Sequence, residues 1–113
     1  MALTKKLLVG NEQLAAAAAQ LGSYAVPANT TTEIHSIILH NTNTTAEKVI
    51  LYLVPSAGSA TDANKVLAKT LAADETWEWN PYVYMSTGYQ IHGATDTASE
   101  VSVHVYGAEI TQV

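Results

Sequence analysis

The chain has 113 residues, 48% of them hydrophobic and only 13% charged, with a net charge of −5. That length supports one domain around a single core. All five basic side chains are lysines; arginine, the usual bidentate reader of phosphate and guanine, is absent, and with the acidic balance this argues against nucleic-acid binding. No cysteine is present, which excludes a disulfide, a thiolate metal site and a cysteine nucleophile. No apolar run reaches the roughly 18–20 residues needed to span a bilayer, and no membrane association is expected.

The N-terminus, MALTKKLLVG, carries a lysine doublet and a short apolar stretch. As a signal peptide its apolar part is too short, and Asn11, Glu12 and Gln13 interrupt it. Residues 1–12 read as an N-terminal arm. Five consecutive alanines follow, Ala15–Ala19. Local propensity favours a helix there, but a lone alanine helix would have little apolar face with which to dock. A thin alanine strand across Leu14–Gln20, lying close against another strand or subunit, fits an otherwise β-rich chain better, with a short strand at Ser23–Val26. The helix remains the alternative.

From Glu33 the pattern is plainer. "EIHSIILH" (Glu33–His40) is rich in β-branched residues, "NTNTTAE" is a polar turn, and "KVILYLVP" (Lys48–Pro55) is a second strand stopped by proline. The pair reads as a hairpin. Val49, Leu51 and Leu53 share one face of the second strand, and Ile50, Tyr52 and Val54 the other, so both sides of the sheet call for cover. A small-residue loop follows, with one helical turn at Asp62–Lys65. Then come strands at Val66–Leu71, Thr76–Trp79, Tyr82–Tyr84 and Tyr89–Gly93, and a last strand in "VSVHVYGAEITQV" with Val101, Val103 and Val105 on one face. Gly107 marks a bulge in it. The sum is an all-β chain: an antiparallel, jelly-roll-like β-sandwich of about 7–8 short strands, forming a single domain over residues 1–113.

The order of features resembles a group of small bacteriophage virion proteins. "YAVPA" (Tyr24–Ala28) precedes a threonine-rich turn, a strand ends near Asn41-Thr42, and "LYLVP" (Leu51–Pro55) follows. An aromatic strand after "LAADETWEW", then "STGYQIHG" and a terminal "GAEI", complete the match from about Ser23 to Thr111. The resemblance implies a virion component made in the host cytoplasm, carried on the head as a decoration or fibre-like subunit or on the tail, and assembled as a trimer or other symmetric homo-oligomer. Its partners would be copies of itself and phage capsid or tail proteins. A carbohydrate- or receptor-binding module that contacts a cell-surface saccharide is the alternative. The chain departs from a complete tail fibre in having no long shaft or coiled-coil segment.

No catalytic fingerprint accompanies this pattern: neither Gly-x-Ser-x-Gly nor a P-loop nor a dinucleotide motif occurs. His35 and His40 lie five residues apart and would face opposite sides of a regular strand. The histidines show no HxH or HxxxH spacing, so neither a metal nor a cofactor is expected. Asp74, Glu75 and Glu78 read as a solvated turn. "WEWNPYVY" is the most informative local feature. Trp77 and Trp79 share a face, and Tyr82 and Tyr84 repeat the spacing beyond Pro81. These serve as core filling, as subunit anchors or as a sugar-stacking platform. The candidate interface residues are Ala17, Ile38, Tyr52, Trp77, Trp79, Tyr82 and Tyr84.

Overall fold

The computed structural model describes residues 2–112. Nine strands form two sheets. They are β1 (Ala2–Gln13), β2 (Ala19–Ala25), β3 (Thr30–Asn41), β4 (Glu47–Val54), β5 (Lys65–Leu71), β6 (Thr76–Trp79), β7 (Val83–Met85), β8 (Gln90–Thr95) and β9 (Val101–Thr111). A single turn of 3-10 helix at Asp62–Asn64 precedes β5. Sheet A has the order β1-β9-β3-β6, with β7 also paired to β3, and sheet B has the order β2-β8-β4-β5. Every pairing is antiparallel.

β6 and β7 pair successive stretches of β3 and act as one strand interrupted at Asn80–Tyr82. Counted so, the pairs nest: β4 with β5, β3 with β6/β7, and β8 and β9 returning to β2 and β1. A ribbon of nested antiparallel pairs folded over into two sheets is a jelly roll. The long strands of sheet A make the molecule elongated, 48 × 25 × 19 Å.

The interior follows from strand alternation. Val101, Val103 and Val105 point inward from β9 and are fully buried, as are Ile34 and Leu39 on β3. Val49, Leu51 and Ile91 meet them from sheet B. Hydrogen-bonded clusters close both ends of the sandwich. At one end the Tyr24 hydroxyl donates to Glu109 Oε2 at 2.7 Å and lies 2.7 Å from the Thr32 hydroxyl, tying β2 to β3 and β9 across the sheets. Burial is the main reason the Tyr24 phenol is pushed above its ordinary pKa. At the other end Glu47, only 2% exposed, accepts from the Thr97 N–H at 2.8 Å, Asn43 Nδ2 at 3.0 Å and the Thr95 hydroxyl at 3.1 Å.

Four expectations are corrected. The alanine run is neither strand nor helix: Leu14–Ala18 carries no regular structure, Ala17 sits in an exposed bend, and strand resumes only at Ala19. Small side chains suit the exposed crossing from sheet A to sheet B better than either regular element. The N-terminal segment is not a free arm, because β1 pairs with β9 along its length, Ala2 opposite Thr111 and Gln13 opposite Ser102. Strands β3 and β4 are not a hairpin. Their turn crosses between sheets, so β3 pairs with β6, β7 and β9, and β4 with β5 and β8. Finally, His35 and His40 do not face opposite sides. A bulge at His35, between Ile34 and Ser36, resets the alternation and turns both imidazoles to the outer face of sheet A.

Gly107 sits at that level. β1 carries an extra residue, Leu8, between Leu7 and Val9, and β3 carries His35, while β9 runs regularly between them. The neighbouring backbone is so close that a Cβ on Gly107 would be driven into the Glu33 carbonyl oxygen.

Candidate binding cleft and exposed faces

The aromatic segment divides by parity. On the β6/β7 strand odd-numbered residues face the interior and even-numbered ones face out. Trp79 stands opposite Ile37 and Trp77 opposite Leu39, so both indoles turn inward and pack half-buried against the core. Their rings stack with centroids 6.3 Å apart, and Lys69 Nζ lies 4.8 Å from the Trp77 ring. Tyr82 lies three positions beyond Trp79, an odd step, so the tyrosines emerge on the other side. Tyr82 and Tyr84 are each 68% exposed on the outer face of sheet A.

There they frame a shallow cleft of about 90 Å³ with Glu33 and His35. Tyr84 is the cross-strand neighbour of Glu33. His35 Nε2 lies 2.9 Å from Glu33 Oε1. The imidazole stacks on the Tyr82 ring at 5.2 Å between centroids, with 25° between planes. Tyr82 reaches this position with φ = 51°, in the left-handed region, which a bulky aromatic rarely adopts.

Toward β6 the outer face of sheet A is mostly polar and charged. Ser36 donates to Glu78 Oε2 at 3.0 Å, and His40 bridges the Thr76 hydroxyl at 2.6 Å and Asp74 at 3.1 Å. Glu75 accepts the Ala72 N–H within its own turn at 2.7 Å. Each carboxylate of the Asp74–Glu78 segment is thus engaged in holding a turn or strand pair. Among the described residues no group of three or more His, Cys, Asp or Glu side chains converges on a metal position. Ile38 lies half-buried on this face. Along the β1 edge Leu3 and Leu7 are 58% and 46% exposed, and Tyr106, cross-strand to Leu7, is 42% exposed.

Sheet B presents a different outer face. Ile50, Tyr52, Ala68 and Ala94 occupy its centre, with Gln20, Gln90 and His92 beside them and Lys48 and Lys65 at the margins. His92 lies 2.8 Å from Gln90 Oε1, and burial pushes its imidazole below the usual pKa.

The seven nominated residues therefore do not form one surface. Tyr82, Tyr84 and Ile38 share the outer face of sheet A, Tyr52 lies on that of sheet B, the tryptophans line the interior, and Ala17 stands in a connection. Sequence reasoning missed Glu33 and His35 as partners of the tyrosines, because the pairing of β3 with β7 that brings them together is a tertiary feature. It also missed Leu3, Leu7 and Tyr106. The alternation Leu3-Lys5-Leu7 was a signal for the first two.

No protein-family model matches the chain, and no curated protein matches it. Among solved structures, the chain is similar to part of the structure of infectious bursal disease virus, Gx strain, with a TM-score of 0.46 and 12% identity over 96% of this chain. Its likeness to the structure of the Gt strain of that virus has a TM-score of 0.37 and 9% identity over 96% of this chain. The chain spans 30% of the length of each of those chains.

Proposed function

We propose that this chain is a non-enzymatic structural protein of a phage virion, acting by binding. It assembles as a homotrimer and attaches to the capsid, as a decoration or head-fibre type of component, or to the tail. The observation that carries this reading is the outer face of sheet B, whose centre of Ile50, Tyr52, Ala68 and Ala94 holds no charge. Depletion of charge at the centre and an aromatic anchor are what a subunit interface needs. The exposed strip of Leu3, Leu7 and Tyr106 at the β1 edge supplies a second contact, toward the particle. Symmetry then multiplies weak contacts into stable attachment. The jelly-roll architecture, used by capsid and lectin domains alike, and the resemblance of the motif order to small phage virion proteins support the setting by analogy.

Sedimentation equilibrium at micromolar concentration tests the assembly. Wild type should run at the trimer mass, and Tyr52→Lys should run at the monomer mass with an unchanged β-type circular dichroism spectrum. A single wild-type species at the monomer mass overturns the assembly. Co-sedimentation with particles lacking the protein tests the attachment: binding should saturate at a fixed copy number and weaken in Leu7→Glu. Failure to bind such particles overturns the virion reading.

A further inference from the structure

We propose that the cleft framed by Glu33, His35, Tyr82 and Tyr84 binds one neutral hexopyranose unit of a saccharide. The argument rests on the cleft alone and is independent of the assembly described above.

A pyranose has apolar C–H faces and a rim of hydroxyls. A site for it needs an aromatic surface and a fixed hydrogen-bonding group at the edge of that surface. Both are present. Two tyrosines lie in water at the sheet edge, each 68% exposed. The Glu33 carboxylate lies beside Tyr84, its cross-strand neighbour, with Oε1 held by the His35 imidazole at 2.9 Å. Oε2 has no side-chain or backbone partner among the described residues and is free to accept from sugar hydroxyls. Glu33 is thus oriented by His35 and kept from swinging into solvent.

Ordinary strand alternation puts Glu33 and His35 on one face, with Ile34 inward between them. One backbone irregularity completes the arrangement: the left-handed φ of 51° at Tyr82 turns its ring onto that imidazole. A non-glycine residue held in that region is strain that the surrounding fold must sustain, and such strain concentrates at ligand sites. It is not required to fill the core on the β7 side, where Val83 and Met85 already point inward.

Other ligand classes fit less well. The cleft contains a carboxylate and the chain carries a net charge of −5, which disfavours phosphate, uronic acids and sialic acids. Lined by Glu33, His35, Tyr82 and Tyr84 alone, the shallow cleft has the footprint of one ring rather than of an extended chain. The proposed particle contact adjoins it on one side, since Tyr106 is the cross-strand neighbour of Ser36, while Tyr82 and Tyr84 lie at the opposite edge of sheet A from β1.

The test is a titration of the assembled protein, followed by amide chemical shifts, with the methyl glycosides of glucose, galactose, mannose and N-acetylglucosamine. At least one should produce saturable shifts confined to the region of Glu33, His35, Tyr82 and Tyr84, with a dissociation constant on the order of millimolar, as suits a single ring. Tyr82→Ala and Glu33→Gln should each weaken that binding by at least about tenfold, the loss of one stack or one carboxylate hydrogen bond. Tyr82→Phe should restore it, and Val66→Ala, an exposed side chain on sheet B, should leave it unchanged. Tyr52→Lys should bind as wild type does, so failure of assembly and failure of the cleft read out separately. The proposal is overturned if no glycoside of the panel shifts these residues, if the shifts persist undiminished in both Tyr82→Ala and Glu33→Gln, or if a proline-rich peptide shifts them and no glycoside does.

Discussion

Removing the charge of Glu47 while keeping its shape measures how much one end of the sandwich depends on it. Glu47 is 2% exposed and lies where β4 enters sheet B. Two donors are committed to it: the Thr97 N–H at 2.8 Å and Asn43 Nδ2 at 3.0 Å. The Thr95 hydroxyl has one proton, shared between Glu47 Oε1 at 3.1 Å and the Lys48 carbonyl at 2.9 Å, and the shorter contact favours the carbonyl. Hydrogen bonds to a charged group contribute about 1.5–3 kcal/mol each, net of solvation. In Glu47→Gln the amide oxygen keeps one donor and the NH₂ confronts the other, so the loss should be about 2 kcal/mol. Glu47→Ala abandons both, and the loss should be about 3–4 kcal/mol, a large share of the roughly 5–15 kcal/mol of a domain this size. The pH dependence has a definite sign. Burial alone would raise the Glu47 pKa, but the bonds from Thr97, Asn43 and Thr95 outweigh it and hold the carboxyl below its ordinary value. The stabilisation is therefore complete above the unfolded pKa, about 4.3, and is lost as pH falls through the lower folded value. Urea melts at fixed protein concentration, followed by tryptophan fluorescence, should show wild type above Glu47→Gln at neutral pH. The gap should close in acid, where protonated Glu47 and glutamine are near-isosteres. A gap below about 0.5 kcal/mol at neutral pH, or one that survives acid unchanged, would refute the reasoning.

Two further substitutions probe the backbone. Gly107→Ala should destabilise by about 2–3 kcal/mol or prevent folding, because its Cβ meets the Glu33 carbonyl oxygen rather than a movable side chain; a denaturation midpoint equal to wild type would show that β9 and β3 are not so close. Ala17→Glu and Ala17→Leu should each leave the midpoint within about 0.5 kcal/mol of wild type, since the residue stands in an exposed bend; a loss beyond about 1 kcal/mol would restore the packed alanine strand.

Much of the architecture was legible locally. The Val101-Val103-Val105 alternation gave the inward face of β9, and the β-branched runs placed β4 and β5 within a residue of their observed ends, while β3 starts at Thr30 rather than Glu33. Partnership was not legible, because in a nested ribbon the partners of β3 lie 36 (His40 to Thr76) to 81 (Thr30 to Thr111) residues away, and a polar turn such as Asn41–Ala46 reads the same whether it joins partners or crosses sheets. The alanine run misled for a related reason: propensity describes what a segment does alone, and Ala15–Ala18 has no face to bury in either form. The tyrosine–tryptophan division was available from parity, since Trp79 and Tyr82 are an odd step apart. The partners of the tyrosines were not, because the pairing of β3 with β7 is long-range, and neither was the bulge at His35.

That bulge links the core to the cleft. The inward residues of β3 are Thr30, Thr32 and Ile34 on one side of it, and Ile37, Leu39 and Asn41 on the other. The first set is even-numbered and the second odd, so a regular strand could bury one set only by exposing the other. One inserted residue, His35, reconciles them, and a residue inserted there has to project outward because the inner face is already complete. Its neighbour on the outer face is Glu33, and the carbonyl of Glu33 is the atom that Gly107 leaves room for. Deleting His35 would therefore do more than remove a side chain. It would let β3 alternate regularly with both sets still inward, and Ser36 would take the place of the imidazole beside Glu33. A variant at this position that keeps the backbone count, such as His35→Ala, separates the two roles: the fold should survive, while the Glu33 carboxylate loses the partner that orients it.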